Sequence, residues 1–128
     1  MIKVVGRVRN GLGHFKKRMT QYPEVFRIAT GENLYPGTLN VELDKSIPIK
    51  EEFRISGADI GEPDQDLLFE VCKLDNIRVF RIRPFNLTTG AGGHGDHVLE
   101  IASKHCLKDH LKLTEGSVVE ITLLRDDI

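Results

Sequence analysis

The feature of this sequence that most constrains its fold is a series of short β-type segments with turn residues between them. They are rich in β-branched and alternating apolar residues, as strands are. The segments fall at 2–8, 38–43, 52–55, 67–74, 77–83, 98–101 and 117–124. Strands and helices do not alternate regularly, which argues against a doubly wound parallel sheet. We therefore predict a mainly β chain that closes into a barrel of about six strands, with two short helices.

Helix and turn signals lie between these segments. Apolar residues at helical spacing predict a short helix over 22–30, followed by a capping Gly31, and helical turns over 104–113. The pair Asp75-Asn76 predicts a tight hairpin. We expect 44–66, which is rich in proline, glycine and acids, to be a surface connection, and the glycine-rich stretch 87–97 to be a loop.

Length and composition are those of an ordinary globular domain. The 128 residues, of which 40% are hydrophobic and 29% charged, predict one domain spanning 1–128. No window is apolar enough to span a membrane, and the charged start MIKVVGRVRN is unlike a secretory signal, so we expect a cytoplasmic protein. Cys72 and Cys106 match no metal-binding spacing, and we expect both to be reduced thiols with a structural role.

The charge of the chain is unevenly distributed. Residues 1–27 hold seven lysines and arginines against one acid, a net +6, whereas residues 42–75 hold ten acids against four bases, a net −6. A basic N-terminal quarter suits an anionic ligand, but the overall charge of −1 is unlike that of a protein that binds extended nucleic acid. We therefore expect a small polyanion as ligand.

Two polar residues near the middle of the chain form the main candidate site. In the run 38–43, alternation places Thr38, Asn40 and Glu42 on one face of a strand and the apolar residues on the other. The oxygens of Thr38 and Asn40 could together reach one hard cation that carries phosphates, such as Mg²⁺. Both residue types are also common where a turn leads into a strand, so spacing alone leaves both interpretations open.

Four blocks of sequence, in this order and spacing, resemble the archaeal-type CTP-dependent riboflavin kinases. The blocks are VRNGLG, FRIATGENLYPGTLNVEL, HVLEIASKHCLKDHLKL and EGSVVEITL, and they cover nearly the whole chain. The resemblance implies a six-stranded cradle-loop (riboflavin-kinase-like) β-barrel. It also implies a phosphotransferase that moves the γ-phosphate of CTP to the ribityl 5′-hydroxyl of riboflavin, giving FMN and CDP.

The resemblance also assigns residues to roles. It makes Thr38 and Asn40 the Mg²⁺ ligands, and it makes Glu100 a flavin contact that could orient the 5′-hydroxyl or accept its proton. The nucleotide would be bound by two stretches, Gly11, Leu12, Gly13, His14, Phe15, Lys16 and Lys17 in the first and His105, Cys106, Leu107 and Lys108 in the second. The other flavin contacts would be Thr88, Thr89, Gly92 and His94.

This chain departs from the family pattern in its first glycine loop. A further glycine and an aromatic pair are usual there, whereas this chain has His14 and Phe15 followed by Lys16, Lys17 and Arg18. Those three cations could neutralise a triphosphate directly and make Mg²⁺ dispensable, or they could form an ordinary solvated turn. The family also tends to carry a hydroxyl residue where this chain has its glycine run, and Thr88 or Thr89 could substitute for it.

Further along the chain, His94, Asp96 and His97 invite a zinc interpretation. Structural zinc usually needs four protein ligands, and no further histidine or cysteine is near in sequence. We favour a mobile lid over the substrates for this stretch.

Two functions other than catalysis are also compatible with the sequence. A non-catalytic nucleotide- or flavin-binding barrel is the stronger, because of the altered glycine loop. A DNA-binding regulator is the weaker, because the sequence starts directly with the first strand. For the enzyme we expect small-molecule partners, no nucleic acid, no membrane and a monomer.

Overall fold

A computed structural model of the chain describes residues 1–11, 13, 15–88 and 95–128, with the backbone alone at 87 and 88. Seven antiparallel strands lie in this part of the chain. They are β1 Ile2–Arg9, β2 Leu39–Leu43, β3 Phe53–Ile55, β4 Leu67–Leu74, β5 Ile77–Pro84, β6 Val98–Ala102 and β7 Val118–Leu123. Six of them form a closed ring in the order β4-β5-β6-β2-β1-β7, because β7 also pairs with β4, and β3 adds to the outside of β4. The predicted barrel is confirmed.

The described residues contain more helix than the two short helices that were predicted. The α-helices are α1 Lys16–Gln21, α2 Pro23–Thr30, α3 Phe85–Thr88 and α4 Leu107–His110, and a 3-10 helix spans Gly57–Ile60. The prediction over 22–30 is confirmed, down to the left-handed φ of 77° at Gly31. Helix α1 was missed because it is only six residues long, with Met19 as its one buried residue.

The core has two parts on either side of the sheet. The barrel interior is filled by alternate apolar residues of the strands, including Leu39, Val41 and Leu43 of β2. A second cluster on the outside is covered by α1 and α2, which bury Met19 and Phe26 against β4 and β5. The inward face predicted for β2 is confirmed, and its polar residues therefore face outward.

Two connections differ from each other in how well the sequence predicted them. Asp75 and Asn76 both have positive φ, 48° and 66°, which is the conformation of a type I′ hairpin turn, as predicted. The stretch 44–66 is not merely a surface connection, because Ile47 and Ile60 are almost fully buried in the two cores. None of the described helices is long and apolar enough to cross a membrane.

Candidate functional site

The site is built on the pairing of β2 with β6. In this antiparallel pair Asn40 lies directly opposite Glu100, so their side chains project from the same face of the sheet. Both are buried, with 8% and 5% of their surface exposed. An amide and a carboxylate are thus held side by side, away from bulk water and outside the apolar barrel interior.

Asn40 also touches the start of the first glycine loop. A Cβ atom placed on Gly11 would lie 1.7 Å from Asn40 Nδ2, so only glycine allows the backbone to pass at this distance. The other amide atom, Oδ1, is buried and has no hydrogen-bond partner among the described residues. A buried acceptor without a partner is costly, and it marks a position where a cation or a ligand donor would be stabilised.

The donor atoms predicted as metal ligands suit a hard cation. Thr38 and Asn40 supply neutral oxygens, and Mg²⁺ takes few protein ligands because it keeps waters and binds substrate phosphates. The unpartnered Oδ1 fits such an ion. Histidine, cysteine and acid side chains do not form any group of three that could hold a metal in the part of the chain that the structure describes.

A cavity of about 170 Å³ lies beside Thr38. Its walls come from two segments that are far apart in sequence, 35–39 and 105–108, with Ile101 and Ser103 of the β6 region between them. Tyr35 N donates to the backbone oxygen of Ser103 at 2.8 Å, which ties the first wall to the end of β6. His105 N donates to the side-chain Oγ of the same serine at 3.1 Å, which orders the start of the second wall. The structure therefore brings the predicted metal ligand Thr38 next to the second predicted nucleotide stretch.

Lys108 connects this cavity to the first glycine loop. Its Nζ donates to Asn10 Oδ1 at 3.4 Å, and Asn10 Nδ2 donates to Glu115 Oε2 at 2.7 Å. Because Gly11 follows Asn10, the ammonium of Lys108 lies near the loop that packs on Asn40. The structure thus gathers Gly11, Asn40 and Lys108, which were predicted from three separate blocks.

Some residues at the cavity were missed by the sequence interpretation. Tyr35 is half exposed at the rim, and its side-chain hydrogen bond with Cys106 raises its pKa, with a smaller contribution from Asp109. His110, outside the cavity lining, was also missed, and its ring stacks on that of the predicted His105 with centroids 4.2 Å apart. Tyr35 belongs to the LYPGTLNV run, which was the available signal, but its thiol partner is 71 residues away in sequence.

The cations of the basic segment after the first glycine loop have different surroundings. Arg18 forms an ion pair with Glu62, and Lys17 lines a separate depression beside it. Phe15 is 1% exposed in the outer core, so its side chain does not face the cavity. Lys16 is exposed at the start of α1. Leu12 and His14 lie outside the described residues.

The predicted flavin contacts lie in the glycine-rich stretch before β6 and on β6 itself. Thr89, Gly92 and His94 lie outside the described residues, and only the backbone of Thr88 is described, in α3. Glu100 is placed beside Asn40. Asp96, weighed as a zinc ligand, instead forms an ion pair with Arg83 at 2.9 Å.

Sequence comparisons point to one family. A family model named for CTP-dependent riboflavin kinase, and described as domain of unknown function DUF120, matches residues 8–123. A riboflavin kinase of Staphylothermus marinus is 30% identical over 129 residues, which cover 98% of this chain and 95% of that protein. Riboflavin kinases of Methanocella arvoryzae and Thermofilum pendens are 30% and 28% identical over 92% and 88% of this chain. The matches span only about half of those two longer proteins, 55% and 54%.

Proposed function

Since this chain belongs to the CTP-dependent riboflavin kinase family, we propose that it transfers the γ-phosphate of CTP to the ribityl 5′-hydroxyl of riboflavin. The hydroxyl oxygen forms a bond to the γ-phosphorus, the bond from that phosphorus to the β-phosphate oxygen breaks, and the hydroxyl proton is lost. The products are FMN and CDP. The matched relatives are named riboflavin kinase, which is a phosphotransferase activity.

The observation that carries this proposal is the unpartnered Oδ1 of Asn40. It lies opposite a buried carboxylate, Glu100, and is packed against Gly11. Phosphoryl transfer needs phosphate-binding groups and a group for the attacking hydroxyl close together, and little other chemistry from the protein. Asn40 and Glu100 provide both on one face of the sheet.

Each side chain has a role in this proposal. Thr38 and Asn40 would hold Mg²⁺, which when bound supplies positive charge to the transferring phosphate. Lys108 attracts the phosphates as a point charge from the other side of the glycine loop. Glu100 orients the 5′-hydroxyl and takes its proton. Burial of Glu100 keeps competing water away from that hydroxyl.

The test is product formation from each possible donor. The chain is incubated with riboflavin and CTP, ATP, GTP or UTP, with Mg²⁺ or with EDTA, and FMN is measured by chromatography. We expect FMN with CTP and Mg²⁺, and none with EDTA. Absence of FMN with every nucleotide would contradict the proposal. Binding of CDP or FMN without turnover would instead support the non-catalytic barrel.

We propose a cytoplasmic monomer whose partners are the two small substrates and their products. Sedimentation of the protein with and without CDP measures its mass, and a stable dimer would contradict the expected monomer.

A further inference from the structure

Arg83 of β5 and Asp96, two residues before β6, form an ion pair close to the candidate site. Arg83 follows Ile82, whose partner across the sheet is Glu100. The side chain of Arg83 is only 4% exposed, and its Nε lies 2.9 Å from Asp96 Oδ1. Its Nη1 donates to Gly95 O at 3.3 Å. One arginine therefore holds both the side chain of Asp96 and the backbone next to it.

The segment that Arg83 holds continues the pairing of β2 with β6. The ladder pairs Asn40 with Glu100 and Glu42 with Val98. Beyond β6, Leu43 N donates to His97 O at 2.7 Å, in the same register, and Ile47 N donates to Asp96 O at 3.1 Å. The contact with Arg83 thus fastens the end of the ladder on which the site depends.

We propose that Arg83 and Asp96 are positioning residues that fix the register of β2 against β6, and so keep Asn40 opposite Glu100. This inference rests on the proposed function, because it assumes that these two side chains act on the same phosphoryl transfer. Neither Arg83 nor Asp96 touches the substrates in this proposal. They act through the backbone of residues 95–97.

The apolar residues that the two strands turn into the barrel set the register over most of the ladder, Leu39 and Val41 on β2 and Leu99 and Ile101 on β6. The ladder has only four paired positions, and at its end near Asp96 the side chains of His97 and Val98 are only half-buried. The contact with Arg83 therefore adds a constraint where apolar burial is weakest. A shift by one residue would turn Glu100 to the opposite face of the sheet from Asn40. A charged contact that is largely shielded from water is a strong way to select one alignment.

The test uses Asp96→Asn, which keeps the shape of the side chain and removes its charge. Asp64→Asn, an exposed acid before β4, is the matched control. We expect kcat for FMN formation to fall about tenfold or more in Asp96→Asn, since even a small displacement of the reacting groups raises the activation free energy. The dissociation constant for CDP stays within about twofold, because the cavity lies at the other end of β6. Asp64→Asn leaves both unchanged.

A second variant and a second measurement separate positioning from general stability. Arg83→Met lowers kcat as Asp96→Asn does, Arg83→Lys recovers part of it, and the double variant Arg83→Met with Asp96→Asn loses no more than either single variant. Amide hydrogen exchange at Leu43 and Ile47, measured by NMR, speeds up in Asp96→Asn while exchange in β1 is unchanged.

Several results would overturn the inference. One is a wild-type kcat and wild-type exchange in Asp96→Asn. Another is a loss of CDP binding in parallel with kcat, together with a lower melting temperature, which would indicate a structural role only. If the unmodified protein makes no FMN, the proposed function fails, and the exchange rates at Leu43 and Ile47 still decide whether the ion pair holds the register.

Discussion

Two groups of buried polar side chains in this protein differ in whether they have partners. On the barrel side of β4, Glu70 lies between two arginines, with Oε2 3.0 Å from Arg125 Nε and Oε1 3.8 Å from Arg81 Nη1. Both arginines also donate to backbone carbonyls, of Ile47 and Pro48. Arg81 Nη1 and Arg125 Nε make no hydrogen bond, but each faces the carboxylate of Glu70. On the outer face of β2, Asn40 Oδ1 has no hydrogen-bond partner among the described residues and carries no charge that a neighbour could pair with.

The difference separates a structural polar cluster from a candidate site. Burial lowers the pKa of Arg81 to about 10 and raises the pKa of Glu70, so each charge is costly on its own and is retained because the others compensate it. At Asn40 nothing described compensates the buried oxygen. Removal of Glu70 should therefore cost stability, and removal of Asn40 should cost activity.

The largest effect is expected for Glu70→Ala. It leaves Arg81 and Arg125 buried without a counter-charge, and breaking a buried ion pair in this way costs about 3–5 kcal/mol of the free energy of unfolding. Urea denaturation followed by circular dichroism measures it. The control is Glu120→Ala, which removes an exposed acid that pairs with Lys3 at 3.8 Å, and we expect no measurable change. Equal losses in the two variants would contradict the structural role of Glu70.

For Asn40→Ala we expect the opposite, a large loss of activity with a small loss of stability. Asn40→Ala should lower kcat about 100-fold or more, the scale on which single preorganised groups act. Its unfolding free energy should change much less than that of Glu70→Ala, because Oδ1 makes no hydrogen bond with the described residues that could be lost. FMN formation and urea denaturation of the same preparation measure both. A large loss of stability with little loss of turnover would assign Asn40 to the structural group.

The third prediction concerns the glycine that packs on Asn40. Gly11→Ala places a methyl group where Nδ2 now lies, so the amide must move, and we expect kcat to fall about tenfold. Gly31→Ala, outside the site at the end of α2, is the comparison, because a Cβ there meets no atom within 4 Å although φ is +77°. It should cost stability through backbone strain and leave turnover nearly intact. Equal kcat losses in both variants would mean that contact with Asn40 is not the cause.

The sequence predicted the barrel and the outward face of β2 because both follow from local patterns. Alternation placed Leu39 and Val41 inward, and the Asp75-Asn76 turn set the hairpin between β4 and β5. The joining of 35–39 with 105–108 at the cavity came from the family resemblance rather than from periodicity. Local patterns contain no information on which distant segments meet.

The sequence did not predict the ion pairs, because they join charged residues that lie far apart in the chain. Arg18 forms an ion pair with Glu62, and Asp96 forms one with Arg83, and neither pairing can be seen in the sequence. Glu70, Arg81 and Arg125 are spread over 55 residues, and no spacing rule connects them. A charged residue can be assigned to a site or to the scaffold only when its neighbours are known.

The smallest effect expected is a difference between the two cysteines, one in each region. Cys72 is fully buried, and burial raises the pKa of its thiol to about 12, with a further contribution from Glu70. Cys106 is half-buried and lines the cavity beside Tyr35. An aromatic disulfide reagent at pH 8 should therefore react with one thiol in the native chain and with two in denaturant. CDP should slow the native reaction, because Cys106 lies in the proposed nucleotide site. Reaction of both thiols at the same rate in the native chain would mean that β4 opens readily and exposes Cys72. A Cys106 reaction rate that saturating CDP leaves unchanged would place the nucleotide elsewhere.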